Sequence, residues 1–166
     1  MTLTDILPLE KWIELEKKIY KRSGLNSNVF DVNGIRISDF QKWPNDLCPT
    51  IKANDKGQSF ICAVAHMNLA AQARHTGEAV IEECDAGLFK VVYPVFAKGE
   101  FLGVVAGCGL LLDGSETDTF LINKITDIDE KKIEKLSIGI ERRNRTEIEE
   151  LACYMKEEVD KITGTL

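Results

Sequence analysis

Three apolar runs joined by short connections occupy residues 78–112, in the middle of the chain. They read EAVIEEC, LFKVVYPVFA and EFLGVVAGCGLLL, and the dipeptide Lys98-Gly99 lies between the last two. A glycine-containing connection of this length favours a tight antiparallel turn. Pro94 has no N–H to donate, which places the second run near a sheet edge or a bulge. The block therefore predicts three strands of an antiparallel sheet.

The third run alternates glycines with apolar residues. Gly103, Gly107 and Gly109 share one face of the predicted strand, while the other face carries Leu102, Val104, Ala106, Cys108 and Leu110. A strand face lined by glycine leaves room for a helix or a ligand to approach closely. We therefore expect this strand to form one wall of a binding site.

Helical segments flank the β-rich block on both sides. Five segments combine helical apolar spacing or alanine-rich composition with good end signals, and we predict them as helices: residues 9–22, 59–75, 116–125, 129–137 and 144–162. Asn33-Gly34 predicts a hairpin, because both residues tolerate positive φ, with strands at 27–32 and 35–39. Residues 40–57 contain several turn signals, and we predict an irregular loop there. This order predicts an α+β domain around an antiparallel sheet.

The charge distribution limits the classes of partner. Residues 78–120 hold eight acidic and two basic side chains, and this part of the chain would repel phosphates. We therefore expect no direct contact with nucleic acid, and we interpret Arg142, Arg143 and Arg145 as a solvated helix start. No apolar run is long enough to span a bilayer, and residues 1–10 do not resemble a signal peptide. We expect a cytoplasmic protein without a membrane partner.

The chain contains five cysteines: Cys48, Cys62, Cys84, Cys108 and Cys153. Their number is odd and none forms a C-x-x-C pair, which argues against a disulfide framework and against the common zinc motifs. Cys62 and His66 lie four residues apart on one face of the helix predicted at 59–75. That pair is either a metal-binding pair or part of the buried stripe of the helix, with His66 hydrogen-bonded at its margin.

The cysteines fall on different predicted elements. Cys48 lies in the predicted loop, Cys84 at the end of the first strand, and Cys108 on the third strand. Together with Cys62 they either hold a metal ion or an Fe–S cluster, or act as small apolar residues. We interpret Cys153, on the terminal helix, as a core residue. No catalytic signature such as G-x-S-x-G or H-E-x-x-H is present, so we expect no enzymatic activity and no catalytic residues.

The segment 144–163 predicts an amphipathic C-terminal helix. Its apolar stripe runs to nearly the last residue and its other face is charged. The helix either covers the core or has an interaction role. In that second case it couples the domain to a partner or mediates formation of a homodimer.

Several of these features occur in one order along the chain. After the first helix come Asp31-Val32-Asn33-Gly34, then Leu47-Cys48 and Cys62. Next are the run Cys84-Asp85-Ala86-Gly87-Leu88, the strand with Tyr93-Pro94-Val95, the Lys98-Gly99 turn, and the strand from Leu102-Gly103 to Gly107. In this order the chain resembles the PocR-type sensory domain of prokaryotic signal transduction proteins, over about residues 8–140. The most specific part is the cysteine set with the C-x-A-G-L segment.

The resemblance implies a PAS/GAF-like α+β fold, with a central antiparallel sheet flanked by helices, in a single sensory domain of residues 1–166. It also implies recognition of a small-molecule effector, for which simple alcohols, diols or other small hydrocarbon derivatives are proposed in the family. Cys48, Cys62 and Cys84 match the family's cysteines, and Gly87 matches its glycine. Asp85 stands where relatives often have histidine, and Gly107-Cys108 where they often have Gly-Gln.

Two hypotheses follow. In the first, the domain binds a small effector in a pocket lined by the helix 59–75, the loop around Cys48, the corner at Cys84 and the strand with Cys108. The ligand-binding residues would then be Cys48, Cys62, His66, Cys84, Gly87 and Cys108. In the second, Cys48, Cys62, Cys84 and Cys108 bind a metal ion or Fe–S cluster in a redox sensor. In both, the state of the site would be passed to a signalling output domain or partner protein.

Overall fold

The computed structural model describes residues 1–164, and a long antiparallel pair of strands forms its centre. The sheet contains β1 (Asn26–Asp31), β2 (Val80–Glu83), β3 (Phe89–Ala97), β4 (Glu100–Leu112) and β5 (Arg142–Arg143). The first four are antiparallel in the order β1-β4-β3-β2, and β5 runs parallel to the end of β4. The predicted PAS/GAF-like α+β fold is confirmed. The three predicted strands between residues 78 and 112 become β2, β3 and β4.

Helices pack on both faces of this sheet. They are α1 (Leu3–Ile6), α2 (Leu9–Ser23), α3 (Leu47–Lys52), α4 (Asp55–Gly57), α5 (Ala63–Thr76), α6 (Thr119–Thr126), α7 (Glu130–Ser137) and α8 (Arg145–Thr163), with a π-helical turn (Gln58–Cys62) leading into α5. The five predicted helices are confirmed to within a few residues. The irregular loop predicted at residues 40–57 is partly wrong, because α3 and α4 form there. Short helices depend on tertiary contacts, and Leu47 and Ile51 of α3 are buried.

The hairpin predicted around Asn33-Gly34 is only half formed. The chain does turn there, Gly34 has a φ of 76°, and Phe30 forms an isolated bridge to Arg36. The strand predicted at 35–39 does not continue, because Ser38 Oγ donates a hydrogen bond to Glu16 on α2. The strand paired with β1 over its full length is β4.

Two bulges shape β4, and close packing explains two of its glycines. The register shifts between β3 and β4 leave Leu102 and Gly109 as extra residues on β4. A side chain at Gly109, which has a φ of +111°, would overlap Pro44, and one at Gly107 would lie 3.0 Å from Leu25. The glycine-lined face is therefore approached by the protein's own chain. Pro94 pairs with Val104 and lies past Val92, the residue opposite the start of β2, which fits its predicted place near an edge.

The main core lies between the sheet and the pair α2 and α8. Apolar residues of α8 are buried in it: Ile148, Leu151, Ala152, Met155 and Val159. The helix therefore covers the core. The prediction that Cys153 is a core residue is wrong, since Cys153 is exposed. It follows Ala152 by about 100° around the helix, which turns it away from the buried stripe.

The arginine cluster is not simply a solvated helix start. Arg142 and Arg143 form β5 beside Leu111 and Leu112, and Arg142 Nη2 lies 2.8 Å from Glu116 Oε1. Only Arg145 belongs to α8. Over residues 1–164, no helix is both long and apolar enough to cross a membrane.

Candidate functional site

One face of the sheet carries polar residues in a buried row. The register places Asn26 of β1, Cys108 of β4 and Lys90 of β3 side by side, and Asn28, Ala106 and Val92 form the next row. Val92 and Ala106 pack against Leu69 and Ala73 of α5. Cys108 therefore lies near the middle of the sheet, on the face that α5 covers.

The other three predicted cysteines come to this end of the sheet from separate elements. Cys48 lies on α3 rather than in a loop, Cys62 ends the π-helical turn, and Cys84 follows β2 directly. All three pack against a second core cluster, which includes Ile61 and Leu88. All four cysteines are half-buried, so solvent reaches a region that several elements enclose.

The thiols are close enough to influence one another electrostatically. Burial raises the pKa of the Cys48 thiol well above its ordinary value, and the Cys108 thiol raises it further. Burial and Cys108 likewise raise the pKa of Cys62 to about 11. Burial also raises the pKa of Cys84. These three thiols are therefore neutral near pH 7. Within residues 1–164, no three His, Cys, Asp or Glu side chains are arranged to hold a metal ion.

Asn45 connects Cys48 to the bulge of β4. Its Nδ2 donates to the carbonyl oxygen of Gly109 at 2.5 Å and lies 3.3 Å from Cys48 Sγ. Its Oδ1 accepts from the Cys48 N–H at 2.7 Å. Because Gly109 directly follows Cys108, this one side chain holds Cys48 beside the strand of Cys108.

Cys84 is positioned by the turn that contains Gly87. The Gly87 N–H donates to the Cys84 carbonyl, and the Cys84 N–H donates to the Leu88 carbonyl, each at 2.8 Å. Gly87 has a φ of +90°, and a side chain there would overlap the Glu116 carbonyl oxygen. Gly87 thus acts on the site through the backbone conformation that it permits.

His66 packs against β1. Its ring centroid lies 3.9 Å from that of Phe30, and the residue is 7% exposed. Burial, with the charges of Lys90 and Lys52, lowers the pKa of His66 to about 3. His66 is therefore neutral near pH 7, and its Nδ1 has no hydrogen-bond partner. Its closest aromatic neighbour is Phe30, and it adds a neutral imidazole to the covered face.

Lys90 is a site residue that the sequence reasoning missed. It is 7% exposed, and its Nζ reaches across β4 to lie 5.4 Å from the Phe30 ring centroid. A lysine inside the apolar run LFKVVYPVFA was the available signal, since a charge on a buried strand needs an explanation. Lys52 was missed as well. Its Nζ lies 5.9 Å from the Trp43 ring centroid, and burial lowers its pKa.

Two clefts flank α5. One, of about 560 Å³, lies between α5 and the turn after β1, and it is lined by Gly34, His66 and Val104 among others. The other, of about 400 Å³, is lined by Ile61, Cys84 and their neighbours. Both volumes are in the range of small-molecule sites.

Comparison with known proteins gives one match. A family model for the sensory domain found in PocR matches residues 5–164. A search of curated proteins and a search of solved structures each found no match. The family match spans nearly the whole chain and includes every cysteine described above. The chain therefore belongs to the family of sensory domains found in PocR, and it is a sensory module of a signalling system.

Proposed function

We propose that this sensory domain detects a small organic effector, which binds on the sheet face beneath α5, next to Cys108. The main support is that three half-buried cysteines from separate elements lie close enough to the half-buried Cys108 for the thiols to influence one another electrostatically. The effector would contact Cys48, Cys62, Cys84, Cys108 and His66, while Gly87 shapes the corner.

The chemistry of this region suits a small and partly apolar molecule. Neutral thiols and aliphatic side chains supply most of the lining, and a few polar groups would fix the orientation of the ligand. Asn28 Oδ1, on the same face, and His66 Nδ1 are buried without hydrogen-bond partners. Simple alcohols, diols and other small hydrocarbon derivatives offer hydroxyl groups that could satisfy them.

The signal would pass through the packing of the sheet. β3 carries Lys90 on the effector side, and α8 packs against the same strand, where Tyr93 lies 3.5 Å from Lys156 Nζ. An effector that binds one packing of the sheet better than another would shift the population of α8 positions. We expect the readout to be an output domain or partner protein in the cytoplasm, without catalysis. The signal could leave the domain through a contact on the outer face of α8, made either with the output partner or with a second copy of the chain in a homodimer.

A ligand screen by thermal unfolding tests this proposal. We expect a small alcohol, diol or related compound to raise the unfolding temperature, because binding at a hundredfold excess over Kd adds about 2.7 kcal/mol. The variant Cys108→Val should abolish that rise, since its branched side chain fills the middle of the face. Cys153→Val is the matched control, because Cys153 is exposed on α8. A rise that survives Cys108→Val would refute the proposed location.

A second candidate is a metal ion or Fe–S cluster held by Cys48, Cys62, Cys84 and Cys108. The electrostatic proximity of the four thiols favours it, and Lys90 and Lys52 would offset the charge of thiolates. The thiols would have to move closer together, since no three of them are arranged around one ion within the described chain. Metal analysis and an absorption spectrum of anaerobically purified protein test this candidate. Stoichiometric iron or zinc that is lost in Cys62→Ala but kept in Cys153→Ala would support it, and a metal-free folded protein would exclude it.

A further inference from the structure

We infer that the effector is an anion, a small organic carboxylate whose charged group pairs with Lys90. This inference rests on the proposed effector site and names the class of its ligand. The observation that carries it is a lysine on a central strand, 7% exposed, whose amino group is directed over the face that α5 covers.

Lys90 forms no ion pair with any of residues 1–164. Its Nζ lies over the ring of Phe30, 5.4 Å from the centroid. A buried charge is normally paired, because desolvation without a partner is costly. A cation–π contact returns only part of that cost.

Glu82 faces Lys90 across the β2–β3 pair, but its side chain is exposed and forms no ion pair with Lys90 in residues 1–164, and the other neighbours are neutral or positive. The neighbouring residue on β4 is Cys108, and the Phe30 ring stacks on the neutral His66. The charges of Lys52 and Arg36 also act on this region, and Arg36 Nε is buried without a partner. A buried ammonium group with other cations nearby and no ion-paired carboxylate attracts an anion.

Lys90 Nζ faces the Phe30 ring, and Phe30 stacks on His66, which lines the cleft of about 560 Å³ beside α5. Lys90 lies on β3 and Phe30 on β1, so Nζ spans the strand between them. Ala106, the β4 residue between Val92 and Asn28, is buried against α5, so the open space lies at the His66 side of this face. A carboxylate that enters by this cleft would meet Nζ beside Phe30 and His66, and the unpartnered Asn28 lies on the same face.

A carboxylate suits this site better than a phosphate. Phosphates in proteins are bound mostly by helix N-termini, backbone N–H groups and arginine forks. Here the deeply buried cation is one ammonium group, and thiols and an aromatic ring surround it. A single buried ammonium matches a monoanion in charge.

Matched ligand pairs provide the test. Titration calorimetry and thermal unfolding would compare lactate with propylene glycol, glycolate with ethylene glycol, and propionate with propanol. Each pair differs mainly by a carboxylate in place of a CH₂OH group. We expect the acid of a pair to bind the wild-type protein more tightly than its neutral partner. Lys90→Met should lower the affinity for the acid by about 10- to 100-fold, as loss of a charge-assisted hydrogen bond does. Lys98→Met, in the exposed β3–β4 turn, is the matched control.

The outcomes separate this inference from the function on which it rests. Equal or tighter binding by the neutral partners overturns the inference, as does carboxylate binding that Lys90→Met leaves unchanged. Tighter binding by inorganic phosphate than by any carboxylate overturns it too. If neutral alcohols bind and Cys108→Val blocks them, the effector site stands and only the anion assignment fails. If no compound of either class binds, both fail.

Discussion

The buried His66 predicts a specific dependence of stability on pH. The imidazole is neutral in the folded protein, because burial and the charges of Lys90 and Lys52 hold its pKa near 3 instead of 6.5. The unfolded chain takes up a proton below pH 6.5, whereas the folded protein does not until about pH 3. The unfolded state therefore binds more protons across this interval, and the free energy of unfolding falls as the pH is lowered.

The size of the effect follows from that interval. For each pH unit between the two pKa values, His66 changes the free energy of unfolding by about 1.4 kcal/mol at most. Between pH 6.5 and about 4.5, His66 should therefore reduce the free energy of unfolding by about 2 to 3 kcal/mol. Above pH 6.5 the contribution vanishes, because the imidazole is neutral in both states.

Urea unfolding of the wild-type protein and of His66→Gln at a series of pH values measures this contribution. Trp12 is fully buried and provides a fluorescence signal for unfolding. Subtracting the free energy of unfolding of the variant from that of the wild-type protein cancels the contributions of the other titrating groups. Any packing effect of glutamine adds an offset that does not change with pH. We expect the difference to change by about 2 to 3 kcal/mol across the interval. His75→Gln, on the exposed surface of the same helix, is the control. A flat difference, or an equal dependence in His75→Gln, would refute the reasoning.

Two further substitutions test how the fold supports the site. Gly109→Ala should destabilise the protein by about 2 kcal/mol or more, because the new methyl group overlaps Pro44 and φ is positive. Gly99→Ala is the control, since it also has positive φ but has open space around it, and an equal loss in both would contradict the overlap. Glu16→Ala should cost about 2 to 4 kcal/mol, because it leaves a backbone N–H and a buried hydroxyl without their acceptor. Glu14→Ala, exposed on the same helix, should cost far less, and chemical unfolding measures all four variants.

The parts of the fold that local pattern determines were predictable. Residues 59–75 and 144–162 have helical composition or periodicity along their own length, and the strands between 78 and 112 are joined by short turns. The helix at Leu47–Lys52 was missed, since its stability comes from burying Leu47 and Ile51 against distant residues. The second hairpin strand was predicted wrongly for the opposite reason. Ser38 donates a hydrogen bond to the buried carboxylate of Glu16 on α2, and no local sequence pattern indicates that contact.

The sequence likewise predicted some residues of the candidate site and missed others. The elements that carry Cys48, Cys62, Cys84 and Cys108, together with the family resemblance, predicted that these residues line one site. The thiols lie close enough to influence one another electrostatically, and their part in binding stays a prediction. The role of Lys90 was not expected, because in the sequence it looks like one polar residue of a strand. Its burial depends on Phe30 and α5, which only the assembled sheet brings together.

Lys90 also connects the pH dependence to the effector. Its positive charge is the largest contribution after burial to the lowered pKa of His66. A carboxylate paired with Lys90 would cancel much of that charge, so the pKa of His66 would rise toward its ordinary value when the effector binds. A neutral alcohol on the same face would leave the charge in place, and a hydroxyl that donates to Nδ1 would favour the neutral imidazole and lower the pKa further. Because the two ligand classes shift His66 in opposite directions, the protonation of this one side chain distinguishes them inside the site, independently of how tightly either binds.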